Sequence, residues 1–151
     1  MHIQLERPNQ PDVISLITEL DAYQDTLYPP DARYALDLSS LEQEHVLFAV
    51  ARDADGAAVG CGAVVLEGSG GELKRMFVRP AHRSQGVAAR LLAALEAHAA
   101  ARGCLCVQLE TGPRQPDAIA FYGKHGYRLR GAFGSYPEHP LSVFMEKQLA
   151  S

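Results

Sequence analysis

Apolar positions along the chain alternate between the spacing of helices and that of strands. An early set recurs every three or four residues, which predicts a helix: Val13, Ile17, Leu20 and Leu27. The stretch "HVLFAVAR" is apolar on both faces, as in a central strand, and "ELKRMFV" at 72–78 predicts a further strand. The whole pattern predicts the order strand, helices, three strands, helix, strand, helix and two strands. We therefore expect one mixed α/β domain spanning residues 1–151.

Composition narrows the class of protein. A chain of 151 residues with 47% hydrophobic content can bury a core. The formal net charge of −4 argues against nucleic-acid binding, which favours a strongly basic face. No apolar stretch approaches the ~20 residues that span a bilayer, so no membrane association is expected. The first ten residues, "MHIQLERPNQ", lack the pattern of a signal peptide, which favours a cytoplasmic protein.

The three cysteines do not form a site of their own. Cys61, Cys104 and Cys106 contain no CxxC pattern, and no cluster of His and Cys has the spacing of metal ligands. Free thiols in a reducing cytosol are the interpretation that we favour, and no metal is expected.

The stretch around Gly86 is unusual for a helix start. A helix is predicted over Ser84–Ala101, yet Gly inside a helix costs about 1 kcal/mol relative to Ala. A glycine turn that leads from a strand into a helix exposes several backbone N–H groups, and the helix dipole adds positive potential there. Gly86 and the small Ala88 would let an anion approach the backbone closely.

Charge at this turn fits an anionic ligand. Residues 74–90 contain no acidic side chain but five basic ones: Lys74, Arg75, Arg79, Arg83 and Arg90. The pattern matches neither a P-loop, which needs GxxxxGK[ST], nor a GxGxxG dinucleotide turn. Taken alone, the turn also fits a tight helix start with solvated arginines.

Three blocks of sequence together resemble the GNAT family of N-acetyltransferases. "RSQGVA" at 83–88 resembles the family signature Q/R-x-x-G-x-G/A, "ELKRMFVRP" its fourth strand, and "LETGPRQPDAIAFYGKHGYR" its fifth strand and following helix. The resemblance, to the small single-domain bacterial type, implies the GNAT fold. That fold is a mixed, mostly antiparallel sheet of about seven strands, splayed between strands 4 and 5 and flanked by about four helices.

The resemblance also implies acetyl-CoA as cosubstrate and a role for each matching residue. Unpaired backbone near Met76 and Val78 would bind the pantetheine arm as an added strand, and the turn would bind the pyrophosphate. Tyr122 would serve as general acid toward the departing thiolate. Gln115 stands where many members have Asn, so its contact with the cofactor is not carried over. The expected cofactor contacts are Met76, Phe77, Val78, Arg83, Ser84, Gln85, Gly86, Val87 and Ala88.

A base is also required, because an amine with a pKa of about 10.4 is protonated at pH 7. Glu72 lies where members that acetylate histones have a general-base glutamate. Strict alternation along a strand would place Glu72 on the same face as Lys74, Met76 and Val78. The alternative is a glutamate that pairs with Lys74 or Arg130.

The acceptor is the least defined part of the prediction. The resemblance places the acceptor site in two segments rich in tyrosine and proline, and a guanidinium there could hold a carboxylate. We expect a small-molecule primary amine, such as an amino acid or a derivative. One alternative is a protein N-terminus as acceptor, and another is a non-catalytic acyl-CoA-binding sensor. The resemblance also implies a possible homodimer, because homodimers are common in the family. The candidate acceptor contacts are Tyr28, Arg33, Arg114 and Tyr136.

Overall fold

The computed structural model describes residues 1–28, 37–134 and 136–149. The order of elements agrees with the predicted one. In chain order they are β1 (His2–Leu5), α1 (Pro11–Leu27), α2 (Leu38–Leu41), β2 (Val46–Arg52), β3 (Ala58–Glu67), β4 (Gly70–Val78), α3 (Val87–Ala101), β5 (Cys106–Thr111), α4 (Pro116–Lys124), β6 (Arg128–Arg130) and β7 (Val143–Gln148).

The strands form one sheet in the order β1-β2-β3-β4-β5-β7-β6. Each neighbouring pair is antiparallel except β4 and β5, which are parallel and connected through α3. A parallel pair needs such a crossover, because the chain must return to the end of the sheet at which β4 began. The predicted fold, a mixed sheet of seven strands with four helices, is confirmed over the described residues.

The two faces of the sheet carry separate cores. One core packs α3 against the sheet, with α4 beside it, and is called the α3 face below. Its helical members are Val87, Leu91, Leu92, Leu95 and Ala99. The other core packs α1 and α2 against the opposite face, the α1 face, through Val13, Leu16, Leu20 and Leu41. No helix of the described residues is long and apolar enough to cross a bilayer.

The helix predicted from Ser84 begins three residues later. A short 3-10 turn occupies Pro80–His82, and Gly86 takes the N-cap position of α3 with φ of 80°. This left-handed conformation is one that glycine adopts without steric cost. Gly86 therefore ends the turn rather than starting the helix, which explains why a poor helix former is placed there.

Candidate active site

The sheet opens at the boundary between β4 and β5. The two strands pair over four residues each, Gly70–Leu73 with Cys106–Leu109. Beyond them β4 continues to Val78 against β3, while β5 continues to Thr111 against β7. Among the described residues, the edges that face each other past Leu73 and Leu109 have no partner strand, so part of their backbone hydrogen-bonding capacity is open there. The splay that the resemblance implied is confirmed.

A β-bulge at Arg75 lies beside this opening. Ala63 is opposite Lys74, whereas Cys61 is opposite Phe77, so β4 has one residue more than β3 here. Arg75 has φ of 62°, which costs about 1–2 kcal/mol for a residue with a Cβ. The Cys61 thiol donates to the Arg75 carbonyl at 3.3 Å, and the buried Arg75 guanidinium lies 2.5 Å from Asp21. These contacts hold a conformation that the chain would not adopt by itself.

The bulge overturns the predicted facing of Glu72. Met76 and Val78 pack with the core of the α3 face. Lys74, by contrast, is opposite Ala63, which belongs to the core of the α1 face. Glu72 lies two residues before Lys74 and therefore shares the α1 face. The prediction holds for Lys74 but was wrong for Met76 and Val78, because one inserted residue inverts the alternation of side chains along a strand.

A cleft of about 160 Å³ is formed at the opening. Its walls come from both faces of the sheet, since Lys74 belongs to the α1 face while Tyr122 packs against the core of the α3 face. Five of the residues predicted from the sequence line it: Tyr28, Glu72, Met76, Tyr122 and Tyr136. The structure thus brings both predicted catalytic side chains and two predicted acceptor contacts into one space.

Glu72 is engaged by two neighbours in this cleft. The Tyr136 hydroxyl donates to Glu72 Oε2 at 2.5 Å, and Lys74 Nζ lies 3.1 Å from the same oxygen. Lys74 Nζ also donates to the Tyr136 hydroxyl oxygen at 2.6 Å. The Glu72–Lys74 ion pair that the sequence left open is therefore present, whereas Arg130 pairs with Glu146.

Sequence reasoning missed a second carboxyl group, Glu110 of β5. Leu109 packs with Leu73 in the core of the α3 face, so Glu110 points to the α1 face, which Glu72 and Lys74 share. Burial raises the pKa of Glu110 to about 7, against the opposing effects of the Ser142 hydroxyl and the Lys74 ammonium. The available signal was an acidic residue near the end of β5, beside the predicted opening.

Tyr122 comes from α4, which is amphipathic and begins with Pro116 at its first turn. Its ring packs edge-to-face against Phe121 and Tyr127 at centroid distances of 5.3 and 5.6 Å. Burial raises the pKa of the Tyr122 hydroxyl above its usual value, so the group stays protonated at neutral pH. Gln115, at the N-cap of α4, lines the same cleft. Tyr122 thus places a protonated hydroxyl on a packed ring at the wall of the cleft.

The turn before α3 presents backbone rather than side chains. Ser84 and Gly86 both have positive φ, and nothing lies within 4 Å of the point where a Cβ of Gly86 would stand. In the described chain no backbone carbonyl accepts a hydrogen bond from the amides of residues 84–89. Donors at the first turn of a helix attract anions. The turn can therefore bind a phosphate-like group through its amides.

The positive charge predicted around this turn is largely paired. Arg75 pairs with Asp21, and Arg79 Nη2 lies 2.7 Å from Glu19, so two carboxylates of α1 neutralise two of the five cations. Arg83 Nε donates to the Val78 carbonyl at 2.9 Å. Its guanidinium carbon lies 5.7 Å from the centroid of the Phe77 ring. The anion site thus depends on backbone amides more than the charge count suggested.

The predicted acceptor residues lie at different places. Tyr28 is 6% exposed and packs so closely on Gly112 that a Cβ there would lie 2.0 Å from its hydroxyl. Arg114 Nη1 donates to the Leu27 carbonyl, and its guanidinium carbon lies 5.9 Å from the centroid of the Tyr28 ring. Arg114 does not line the cleft. Arg33 falls outside the described residues.

Comparison with known proteins identifies the family. The model of the acetyltransferase (GNAT) family matches residues 13–127, which contain β2 to β5, α3 and α4. The chain belongs to the GNAT acetyltransferase family. It is 46% identical over 149 residues to the IAA acetyltransferase of Azospirillum brasilense, with 97% of each chain covered. The family match and this relative together identify the protein as an acyltransferase.

Solved structures support the same fold. A Klebsiella pneumoniae protein described as an acyl-CoA N-acyltransferase superposes with a TM-score of 0.88 at 45% identity, covering 99% of this chain and 97% of that one. An aminoglycoside 6'-N-acetyltransferase complexed with coenzyme A superposes with a TM-score of 0.76 at 19% identity. That alignment covers 100% of this chain and 98% of that one. At these lower identities the likeness concerns the fold alone.

Proposed function

We propose that this protein is a cytoplasmic, acetyl-CoA-dependent N-acetyltransferase that moves the acetyl group directly to a primary amine of a small molecule. The observation that carries the proposal is the cleft at the β4–β5 opening. It collects Glu72, Tyr122 and Met76, as the resemblance implied. The free thiols Cys61 and Cys104 are buried and lie outside this set of lining residues, which favours direct transfer over an acyl-enzyme.

Acetyl-CoA would bind along the open edge of β4 and across the turn before α3. The amides at Gly86 would bind the pyrophosphate, and unpaired backbone near Met76 and Val78 would pair with the pantetheine arm. The coenzyme A complex of a protein with a similar fold supports this choice of cosubstrate. The thioester would then lie at the cleft, beside Tyr122.

The reaction changes the charge of three atoms: the acceptor nitrogen, the thioester oxygen and the departing sulfur. A carboxylate takes the proton of the acceptor ammonium, and Glu72 is the one predicted from the sequence. An N–H of β4 near Val78 would stabilise the tetrahedral oxyanion. Tyr122, kept protonated by burial, would give its proton to the departing thiolate. Each group lies on a strand or helix, which fixes its position before the substrates bind.

The proposed acceptor is an amine of amino-acid size. The cleft of about 160 Å³ is small, and its wall carries the carboxyl groups of Glu72 and Glu110 beside the cationic side chains of Lys74 and Arg75. An acceptor carboxylate would be held by Arg114, beside Tyr28, or by Arg33, which lies outside the described residues.

A thiol-release assay tests the proposal. The acceptor panel should contain amino acids, polyamines, aminoglycosides, short peptides and IAA, the last because of the name of one relative. We expect turnover with an amino acid or a derivative, and a larger rise in KM for the carboxylate acceptor than for its amide in Arg114→Ala or Arg33→Ala. Turnover confined to polycations would contradict the proposed acceptor class, and turnover of peptides alone would indicate a protein N-terminus.

A further inference from the structure

We propose that Met76 of β4, packed over Gly62 of β3, forms the floor of the pocket that holds the acyl chain and thereby limits the transferred group to acetyl. The inference rests on the proposed N-acetyl transfer and adds its selectivity for the acyl donor. It arises from the two sides of the cleft and from a close contact beneath its floor.

The two sides of the cleft differ in polarity. Glu72 and Lys74 line it from the α1 face. On the α3 face its lining consists of side chains that belong to or pack against the apolar core there. An acceptor ammonium needs polar partners, whereas the hydrocarbon part of an acyl group gains free energy from apolar contact. The acyl chain therefore extends toward the α3 face. The lining side chains of that face are Leu73, Met76, Leu109 and Tyr122.

The β-bulge at Arg75 directs Met76 to this apolar side. Leu73 faces the core of the α3 face and Lys74 faces away from it. Strict alternation would give the next position on the α3 face to Arg75. The inserted residue gives that position to Met76 instead. The bulge thus places a flexible apolar side chain, rather than a guanidinium, on the α3 side of the cleft.

Met76 occupies space that Gly62 leaves free. Gly62 lies on β3 across from the bulge. A Cβ at Gly62 would lie 2.4 Å from Met76 Sδ and 2.9 Å from Leu95 Cδ1, distances too short for non-bonded atoms. Leu95 is fully buried in the core behind Met76, so a displaced Met76 side chain would move toward the cleft. Gly62 thus determines how far Met76 withdraws, and with it the depth of the pocket.

Met76 is placed to contact the acyl chain from its first carbons onward. Tyr122, which would protonate the departing sulfur, lines the same cleft and packs against the same core. The acyl carbon is bonded to that sulfur, so the chain begins beside Tyr122 and continues into the apolar side. A hydrophobic pocket discriminates about 10- to 200-fold between substrates that differ by one methylene. A fixed floor at Met76 would therefore suffice to select acetyl over longer groups.

The experiment measures kcat/KM for acetyl-CoA, propionyl-CoA and butyryl-CoA by thiol release, with the best amine of the acceptor panel. Wild type should prefer acetyl-CoA over propionyl-CoA at least about 10-fold. Met76→Ala removes Cγ, Sδ and Cε from the floor and should lower the preference for acetyl-CoA over butyryl-CoA about 10-fold. Equal use of the three donors by wild type, or an unchanged ratio in folded Met76→Ala, would overturn the proposal.

Gly62→Ala tests the support beneath the floor. Its Cβ should push Met76 toward the cleft and lower kcat/KM for acetyl-CoA about 10-fold. Gly62→Ala/Met76→Ala should recover most of this loss, because the displaced side chain is then absent. Gly60→Ala is the matched control: its Cβ would meet the Phe77 carbonyl and Leu91 instead of Met76, so the donor preference should stay. A loss that the double variant does not recover would overturn the role of Gly62.

The outcomes separate this inference from the proposed function. If wild type binds no acetyl-CoA and releases no thiol with any donor and acceptor, the proposed function itself fails. If wild type transfers all three acyl groups at similar rates, N-acyl transfer stands and selection by Met76 is overturned. Should Met76→Ala not fold, Met76→Val gives the same comparison, because valine is shorter than methionine and favoured in strands. Should Gly62→Ala not fold, the donor ratios of the Met76 variants decide alone.

Discussion

The turn before α3 and the proposed acceptor side of the cleft are built in different ways. The turn uses backbone: Gly86 in the left-handed region and amides that no carbonyl of the described chain engages. The acceptor side uses side chains from three distant segments, Glu72, Glu110 and Tyr136. A site made of backbone is encoded in a few consecutive residues, whereas a site made of side chains depends on which segments the fold brings together.

The largest effect is expected from Gly86→Glu, which attacks the backbone site. The new carboxylate would stand where the proposed pyrophosphate binds, so acetyl-CoA affinity should fall at least about 100-fold, or about 3 kcal/mol. The measurement is the rise in Tm with acetyl-CoA, which depends on ligand affinity by mass action.

Gly86→Ala is the matched control. Both substitutions force a side chain into φ of 80°, and neither meets an atom within 4 Å of its Cβ. We expect Gly86→Ala to lose stability but to keep much of the acetyl-CoA shift. A normal shift in folded Gly86→Glu would show that the pyrophosphate binds elsewhere.

Tyr122→Phe tests the side-chain half of the site. It keeps the ring and removes the proposed proton donor, so kcat should fall about 100-fold while acetyl-CoA affinity is retained. Steady-state kinetics and a binding titration measure the two quantities. Tyr127→Phe is the control, because its hydroxyl donates to Glu96 at 2.9 Å outside the cleft. If Tyr122→Phe and Tyr127→Phe both keep the kcat of wild type, Tyr122 has only a packing role.

Glu110→Gln should stabilise the protein at high pH, apart from any effect on activity. The folded-state pKa is raised from 4.5 to about 7, so protonated Glu110 stabilises the fold below pH 4.5 and that stability is lost as the pH rises to 7. A neutral glutamine has no such loss. Partial exposure reduces the effect, and we expect about 1–3 kcal/mol more stability than wild type at pH 8.

Denaturant unfolding at pH 4.5 and pH 8 measures this difference, with Glu67→Gln, at the exposed end of β3, as the control. The gain should be small at pH 4.5, where wild-type Glu110 is protonated. A gain of the same size at both pH values would mean that packing, not ionisation, distinguishes the two side chains.

The smallest effect is expected from Tyr136→Phe. Loss of the 2.5 Å contact with Glu72 removes about one hydrogen bond, so the acceptor KM should rise about 3- to 10-fold. The pH dependence of kcat/KM should stay unchanged. Tyr23→Phe, at an exposed tyrosine of α1, is the control. A changed pH dependence of kcat/KM in Tyr136→Phe would instead indicate that the tyrosine takes part in proton transfer.

Local patterns predicted the order of the elements and the glycine turn, whereas the position of the opening was implied by the family resemblance. Gly86 was identified because glycine is unfavourable in a helix, and Tyr122 because the sequence around it resembles a conserved block of the family. The facing of Glu72 was predicted wrongly, since the bulge at Arg75 depends on contacts with Cys61 and Asp21 that alternation does not contain. Glu110 was missed because its pKa is set by burial, which arises only when β4, β5 and β7 are assembled.

The short β4–β5 ladder also bears on how the protein folds and opens. β2, β3 and β4 are joined by tight hairpins, so their contacts are local and can form early. β5 can join only after α3 has crossed the sheet, and four residue pairs connect it to β4. We expect amide exchange to show two cooperative units, the strands up to Val78 and the strands from Cys106 onwards. The β4–β5 ladder between them should open at a lower free energy than either unit needs to unfold.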